Sequence, residues 1–475
     1  MNNISKAQLP VAVLGAGPIG LAAAAHLIAK GFTPLVLEAG VVIASNLESY
    51  RHVRLFSPWQ YNIDKAAKQL LEHVGWSAPD ADVLPTAGEI VDDYLKPLAA
   101  LSSIAAGLEL GRRVVAISRL GFDKVKTRGR EQAPFVIRAI GDDGEREYLA
   151  SAVIDATGTW SQPNPLGANG LPARGEVALR RRIAYGMPDV FGADRERYAG
   201  RRVLVVGAGH SAGGTLLALA RLAEEEASTQ VVWAIRGRLS AKLFGGGDAD
   251  GLPARGHLGS RLKALQLSGR LELHEEFRIQ ALDQHSGTIT VHGDAGAVDI
   301  AGIDEIIAAT GARPNLDITS ELRVRHDPWL ESTDLLAPLI DPNEHSCGTV
   351  RPHGHRELAH PEHGYYAVGA KSYGRAPNFL MATGYEQVRS VVAALAGNLA
   401  EANDVQLELP ETGVCSTRQV DDSEPAVAGC CGGPAPAPAS VCCLADAQAK
   451  DAGADGCGCP DQPTQVQAHT KACCS

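Results

Sequence analysis

The sequence predicts an α/β fold built from two parallel-sheet units, one inserted in the other, followed by a cysteine-rich tail. Three observations predict it. A strand–glycine–helix passage at Val11–Gly20, "VAVLGAGPIG", recurs at Arg201–Gly214, "RRVLVVGAGHSAGG". Two later strands end in the same Ala-Thr-Gly exit, at 156–158 and 309–311. Nine of the ten cysteines lie beyond residue 410.

The first passage organises the chain. Four apolar residues, Val11–Leu14, make a buried strand, and Gly15, Gly17 and Gly20 fit the G-x-G-x-x-G turn of a Rossmann-like dinucleotide-binding domain. The first glycine allows the sharp turn, the second lets backbone approach a pyrophosphate, and the third lets a helix over Leu21–Lys30 pack on the strand. The helix N-terminus presents N–H groups and a positive dipole end to phosphates. A second strand, Pro34–Leu37, ends in Glu38, placed to accept hydrogen bonds from a ribose 2′-OH. The alternative is a Gly-rich turn with no ligand.

Bulk composition sets the class. The chain has 475 residues, room for two or three domains. Its 45% hydrophobic and 21% charged residues are ordinary for a globular protein. A net charge of −11 with no basic stripe points away from nucleic acid. No apolar run approaches the roughly 18 residues of a membrane span, and the N-terminus has no signal-peptide pattern, so the expected location is cytoplasmic, with no membrane partner.

Beyond Glu38 lies the aromatic and basic segment Ser49–Ile63, "SYRHVRLFSPWQYNI". An amphipathic helix is expected within Leu84–Leu101, opened by Pro85-Thr86. Residues 112–150 alternate as a small antiparallel meander. The Pro/Gly-rich stretch 159–172 reads as a linker. In the second passage Gly207, Gly209 and then Ala212 occupy the three glycine places, and the following strand ends in Arg236 and Arg238 where an NAD site offers an acid. Arginine there pairs with a 2′-phosphate, which favours NADPH; the alternative is two ordinary surface arginines. The loop Leu243–Gly256 is expected to be mobile and to cover a site. A strand within Gly364–Gly374 and a helix over Gly384–Gly397 complete the core. The resulting domains are 1–165 with 315–405 for FAD, 166–314 for NADPH, and a tail over 406–475.

With these motifs in view, residues 8–400 resemble the class B flavin monooxygenases, a branch of the flavoproteins with two dinucleotide-binding domains. The resemblance rests on "YRHVRLFSPW", "PT…EIVDDYL", the "ATG…P…P" linker and "GAGHSAGG". The core with its tail is similar to flavoproteins encoded among arsenic-resistance genes. The resemblance implies FAD on Gly15, Gly17, Gly20, Glu38 and Gly369, and NADPH on Gly207, Gly209, Ser211, Arg236 and Arg238. It also implies that Tyr385 and Gln387 open the last helix beside the flavin. Three departures stand out. The phenylalanine–glycine–histidine run before the second glycine turn is replaced by "RGEVALRRRIAYGMPD". Gly369 is followed by Ala370 rather than aspartate. Neither C-x-x-C nor C-x-x-x-x-C occurs in the core, which argues against a core dithiol relay.

The tail, rich in Ala, Pro, Gly and Asp, has too little apolar surface to offset its ordering entropy, so disorder is expected. Eight of its nine cysteines fall in four close pairs: Cys430 with Cys431, Cys442 with Cys443, Cys457 with Cys459, and Cys473 with Cys474. Adjacent thiols suit a soft centre such as As(III), Cu(I) or Hg(II) better than zinc, whose structural sites space ligands as C-x₂₋₄-C. A redox relay to the flavin and a dispensable tail are the alternatives. The segment Asp341–His363 holds His345, Cys347, His353, His355, His360 and His363, either a metal contact or a polar loop. Catalytic residues are unassigned; Cys347 and Gln387 are the candidates. The expected function is NADPH-dependent, FAD-mediated oxidation of a small thiophilic substrate such as a trivalent arsenical by O₂. A tail-thiol reductase of the mercuric-reductase kind and a metalloid-sequestering flavoprotein are the rivals.

Overall fold

The computed structural model describes residues 8–239, 244, 253–344 and 350–407. His345 and Cys347 lie outside the described residues, as does most of the loop 243–256. The cysteines expected to bind a soft metal or metalloid, namely Cys430, Cys431, Cys442, Cys443, Cys457, Cys459, Cys473 and Cys474, also lie outside the described residues. Pro253–Gly256, expected as the end of the loop, open the helix Pro253–Leu267 instead, as a proline suits the first turn where its missing N–H is no loss.

Among the described residues the strands form two parallel sheets of five and two antiparallel sheets of three. The first parallel sheet contains β1 (Val11–Leu14), β2 (Pro34–Leu37) and the short β3 (Leu108–Glu109). The meander follows as β4 (Arg113–Arg119), β5 (Phe135–Gly141) and β6 (Gly144–Ala150), and the chain returns to the first sheet with β7 (Ala152–Asp155). The second unit runs from β8 (Ile183–Tyr185) through β9 (Arg202–Val206), β10 (Gln230–Ala234) and β11 (Glu272–His274). Its own meander is β12 (Ala281–His285), β13 (Thr288–His292) and β14 (Ile300–Ile303), before β15 (Glu305–Ala308). β16 (Tyr365–Ala367) then rejoins the first sheet.

The two sheets have the same plan, β16-β7-β1-β2-β3 and β8-β15-β9-β10-β11. Each is a glycine-turn strand flanked by its successor on one side and its Ala-Thr-Gly exit strand on the other. The central strands are apolar except for a charged residue at one end of three of them (Asp155, Arg202 and Glu305), because helices or meanders cover both faces.

The glycine turns show why the motif is spelled as it is. Gly15 has φ +95° and Gly207 has φ +135°. A Cβ on Gly15 would lie 2.9 Å from the Ala156 carbonyl oxygen, and one on Gly207 would lie 2.3 Å from that of Ala309. Each first glycine therefore turns the chain and also lets the exit strand close against it. A Cβ on Gly20 would sit 1.9 Å from the Gly15 carbonyl oxygen. This is helix on turn, the packing role expected for the third glycine. The first helix spans Pro18–Ala29 rather than Leu21–Lys30, with Pro18 in its first turn. In the second turn Ala212 fills the third place and is buried.

The expected helix at 84–101 is present in pieces. Thr86 caps it in a reciprocal box with Glu89. A π turn over Ile90–Leu95 precedes Lys96–Ala99. Pro97 has no N–H to offer the Asp93 carbonyl four residues back, and the Trp76 indole Nε1–H donates to that carbonyl at 2.9 Å.

Chain passes between the two parallel sheets twice, and the two crossovers pair with each other. Asn164 N–H donates to the Gly311 carbonyl and Arg313 N–H to the Gln162 carbonyl, each at 2.9 Å. The Thr310 hydroxyl donates to the Asn164 carbonyl at 2.6 Å.

Gly20→Ala is expected to cost about 1–3 kcal/mol or more, because the added methyl meets backbone rather than a flexible side chain. The check is the urea unfolding midpoint; a wild-type midpoint would show that the helix can shift without cost.

Candidate functional site

The expected dinucleotide residues can now be placed. A cavity of about 650 Å³ opens at the carboxyl end of the first sheet, where the strand order reverses around β1 and ligands of open α/β sheets bind. Gly15, Gly17, Glu38 and Gly369 line it. A Cβ on Gly17 would meet nothing within 4 Å, so open space lies beside this turn. The helix Pro18–Ala29 begins here with no side-chain cap and no acidic residue in its first turn, leaving its first N–H groups and dipole end for an anion. Gly20 lies behind the turn rather than in the cavity wall.

Glu38 does more than wait for a ligand. It is buried, and its Oε2 accepts from the Ala16 N–H at 2.7 Å, inside the glycine turn. Its Oε1 accepts from the Gly40 N–H at 2.8 Å and the Ser45 hydroxyl at 2.9 Å. The carboxylate thus ties the turn to the loop after β2 while keeping spare acceptor capacity toward the cavity.

One side wall is aromatic. Tyr50 and Trp160 line the cavity with ring centroids 4.7 Å apart, and the Trp160 Nε1–H donates to the Ser49 hydroxyl at 2.9 Å. Burial pushes the Tyr50 phenol up to about 12. The segment "YRHVRLFSPW" thereby finds its place.

Sequence reasoning missed the charge pair behind the cavity wall. Asp155, at the end of β7, and Lys371, two residues beyond Gly369, form a fully buried ion pair at 3.1 Å. Burial alone would raise the Asp155 carboxyl. The Lys371 ammonium and the Thr157 hydroxyl and N–H more than reverse this, leaving it below its ordinary value. The available signal was a single charge inside "AVIDATG", where the matching exit of the second unit has Ala308.

In the second unit Gly207 and Gly209 stand at the matching turn of β9, and a Cβ on Gly209 would again meet open space. Ser211 is partly exposed in the first turn of the helix His210–Glu225, which has no side-chain cap and no acid in that turn. Arg236 and Arg238 follow β10 on the surface, and Arg238 pairs with Glu276 at 3.1 Å. The Phe56 and His210 rings, 5.4 Å apart, bring the first unit's aromatic segment to this second turn.

One expectation needs correction. Tyr385 and Gln387 do not open their helix, which spans Met381–Leu395 and is followed by a short helix Leu399–Asn403; Met381 lines the cavity in their stead. Both are buried behind the wall and occupied. The Tyr385 hydroxyl donates to the Asn62 carbonyl at 2.8 Å, and the Gln387 Oε1 accepts from the Gly369 N–H at 2.7 Å. The described histidines of the segment have separate partners. His353 bonds the Arg351 carbonyl and Gln387, while His360 takes the Arg325 N–H on Nδ1. His363 is exposed near Glu131. Among the described residues no group of three or more His, Cys, Asp and Glu could hold a metal ion. No helix among the described residues is long and apolar enough to cross a membrane.

Residues 12–346 match the family model described as pyridine nucleotide-disulphide oxidoreductase. The chain belongs to this family. It is a flavin-dependent oxidoreductase whose cofactors are FAD and a pyridine nucleotide. Within the oxidoreductases it is similar to the bacillithiol disulfide reductase Bdr (YpdA) of Bacillus cereus, at 19% identity and TM-score 0.61 over 82% of this chain and 99% of that one. It is also similar to FAD-bound DfoA, the cadaverine monooxygenase of desferrioxamine biosynthesis in Erwinia amylovora, at 13% identity and TM-score 0.57 over 86% of this chain and 97% of that one. Indole-3-pyruvate monooxygenase YUCCA6 of Arabidopsis thaliana is 28% identical over 201 residues, a match spanning 42% of each chain. The fold is thus one that monooxygenases and disulfide reductases share.

The buried histidines set a pH dependence. Burial lowers His360 from 6.5 to about 4, and His326 and His353 also shift down by burial. Below about 6.5 the unfolded chain takes up protons that the folded chain refuses, so stability falls as pH drops from 6.5 toward 4. Urea unfolding should lose about 1.4 kcal/mol per pH unit for each such histidine in its window. His360→Gln should make the fall shallower by one histidine's share; an unchanged slope would refute the assignment.

Proposed function

We propose that this chain is an NADPH-dependent FAD enzyme that oxidises a small thiophilic substrate, most simply a trivalent arsenical, with O₂ as electron acceptor. The observation that carries the FAD half is the cavity beside the Gly15–Gly17 turn, open where a Cβ would point and headed by an uncapped helix. In this reading residues 1–165 with 315–405 hold FAD, and residues 166–314 hold NADPH. Bound there, the flavin would supply hydride acceptance from the nicotinamide and electron delivery to the acceptor.

The chain's own groups do the binding and positioning. Gly15 and Gly17 give backbone access, the helix Pro18–Ala29 offers its N-terminal dipole, and Glu38 receives the ribose. Gly207, Gly209 and Ser211 would cradle the second pyrophosphate. Arg236 and Arg238 lie on the surface with room to pair with a 2′-phosphate, Arg238 leaving Glu276 to do so. Tyr50 and Trp160 would exclude water from the reacting end. The arsenical rests on the paired tail thiols and on the resemblance to arsenic-resistance flavoproteins, not on a residue of the cavity.

The first test is NADPH oxidation by the purified holoprotein, aerobic and anaerobic, with and without As(III) and trivalent organoarsenicals. Arsenical-stimulated turnover that needs O₂ and yields a pentavalent product is expected. Stimulation that persists without O₂ would replace this reading with the tail-thiol reductase, and arsenical binding without stimulation would replace it with sequestration. Deleting residues 411–475 should abolish As(III) binding; retained binding would remove the tail from the mechanism.

Cofactor preference has its own check. Arg236→Ala with Arg238→Ala should raise the KM for NADPH by about 10-fold or more, at roughly 1.4 kcal/mol per factor of ten, and leave that for NADH within about twofold. Equal effects on both would show that neither arginine meets the 2′-phosphate.

A further inference from the structure

The buried Lys371 has a geometry that a plain ion pair does not need. An ammonium has three N–H donors, and three acceptors meet it. They are Asp155 Oδ2 at 3.1 Å, Thr157 Oγ1 at 3.1 Å and the Asn315 carbonyl oxygen at 2.6 Å. Each acceptor belongs to a different piece of the cavity's surroundings. Asp155 ends β7, Thr157 begins the outgoing crossover, and Asn315 lies on the returning one. Lys371 itself follows β16. Thr157 and Asn315 line the cavity, whereas Lys371, with its side chain 1% exposed, stands behind it.

Asp155 is committed on every side. Its Oδ1 accepts from the Thr157 hydroxyl at 2.6 Å and N–H at 3.2 Å, and its Oδ2 takes the Tyr365 hydroxyl at 2.9 Å besides the lysine. Tyr365 is on β16, so strand, exit and both crossovers are joined through one ammonium and one carboxylate. The crossovers are also the chain's two passages between the sheets, and they are hydrogen-bonded to each other. The second unit has no counterpart, since Ala308 stands where Asp155 would.

We infer that Lys371 is a positioning residue for the flavin reaction. Through Thr157 and Asn315 it fixes the cavity floor and the angle at which the second glycine turn meets it. The inference rests on the proposal that FAD and NADPH occupy the two turns. The chemistry demands such a device. Hydride transfer needs donor and acceptor atoms within about 3–3.5 Å, and a 1 Å misplacement costs on the order of 100-fold in rate. Two sheets joined by two crossovers keep that register only if the crossovers are held. Lysine suits the task because its donors radiate from one point onto three separate acceptors, whereas arginine's planar fork cannot reproduce that arrangement.

The test uses the full-length holoprotein and the variants Lys371→Met and Lys371→Arg. The double variant Asp155→Asn with Lys371→Met replaces the first if the unpaired carboxylate prevents folding. Anaerobic flavin reduction is followed against NADPH concentration, and the FAD dissociation constant is measured separately by flavin fluorescence. For each variant the limiting reduction rate, per FAD-loaded protein, should fall by about 10–100-fold. Half-saturating NADPH should stay within about twofold, because the 2′-phosphate contacts are untouched. The FAD dissociation constant should rise by about 10-fold, equivalent to roughly 1.4 kcal/mol. A merely structural lysine would lower the unfolding midpoint and leave the loaded protein's limiting rate at the wild-type value, which would overturn the inference. Wild-type rates in Lys371→Arg alone would also overturn it, since charge rather than position would then suffice. Wild-type protein that binds FAD and takes no electrons from NADPH would instead overturn the functional proposal. Lys371 would then stand or fall on the FAD dissociation constants.

Discussion

Backbone meets backbone at the head of each parallel sheet with no room for a side chain between. In the first sheet Gly15 closes against Ala156, and in the second Gly207 closes against Ala309. That contact brings the exit strand beside the glycine-turn strand, so the loop leaving the exit becomes a cavity wall. Thr157, Gly158 and Trp160 line the cavity because Ala156 is pressed on Gly15. The pairing of a glycine turn with an Ala-Thr-Gly exit is therefore one structural unit spelled in two distant places.

Around that contact the interior is organised by satisfying polar groups rather than avoiding them. A buried donor or acceptor without a partner costs more than its hydrogen bond contributes. The helix Met381–Leu395 illustrates the consequence. Gln387, Ser390 and the Glu386–Arg389 pair are all buried in it. Each serves backbone from another segment: Gln387 takes the Gly369 N–H, the Ser390 hydroxyl donates to the Ala402 carbonyl, and Arg389 Nη1 donates to the Glu401 carbonyl. Gly369 lines the cavity, so Gln387 shapes the site at one remove. Asp155 and Lys371 do the same on a larger scale, with a charge pair that would be costly to break because either partner alone would remain buried and unpaired.

The family's name includes a disulphide, yet the core sequence offers one cysteine, Cys347, ahead of residue 410. The fold is shared by a disulfide reductase and by a monooxygenase, so topology does not choose between them. On the proposed reading the missing dithiol leaves the flavin to meet its acceptor directly, and the tail thiols collect the substrate. The aromatic wall of Tyr50 and Trp160 fits either use, since both require a dry reacting end.

The sequence by itself determined the nested α/β architecture, both glycine turns, the meander at 112–150, the helical segment opened by Pro85-Thr86 and the acid Glu38. These signals are local: strand and helix periodicity and a glycine spacing act within a few residues of where they are read. Tertiary structure alone decided that Glu38 braces its own turn, that Tyr385 and Gln387 serve backbone behind the wall, and that the histidines of 353–363 scatter. It alone brought Asp155 and Lys371 together across 216 residues of chain. Hydrogen-bond satisfaction in a closed interior depends on which distant backbone arrives there, and no spacing along the chain records it.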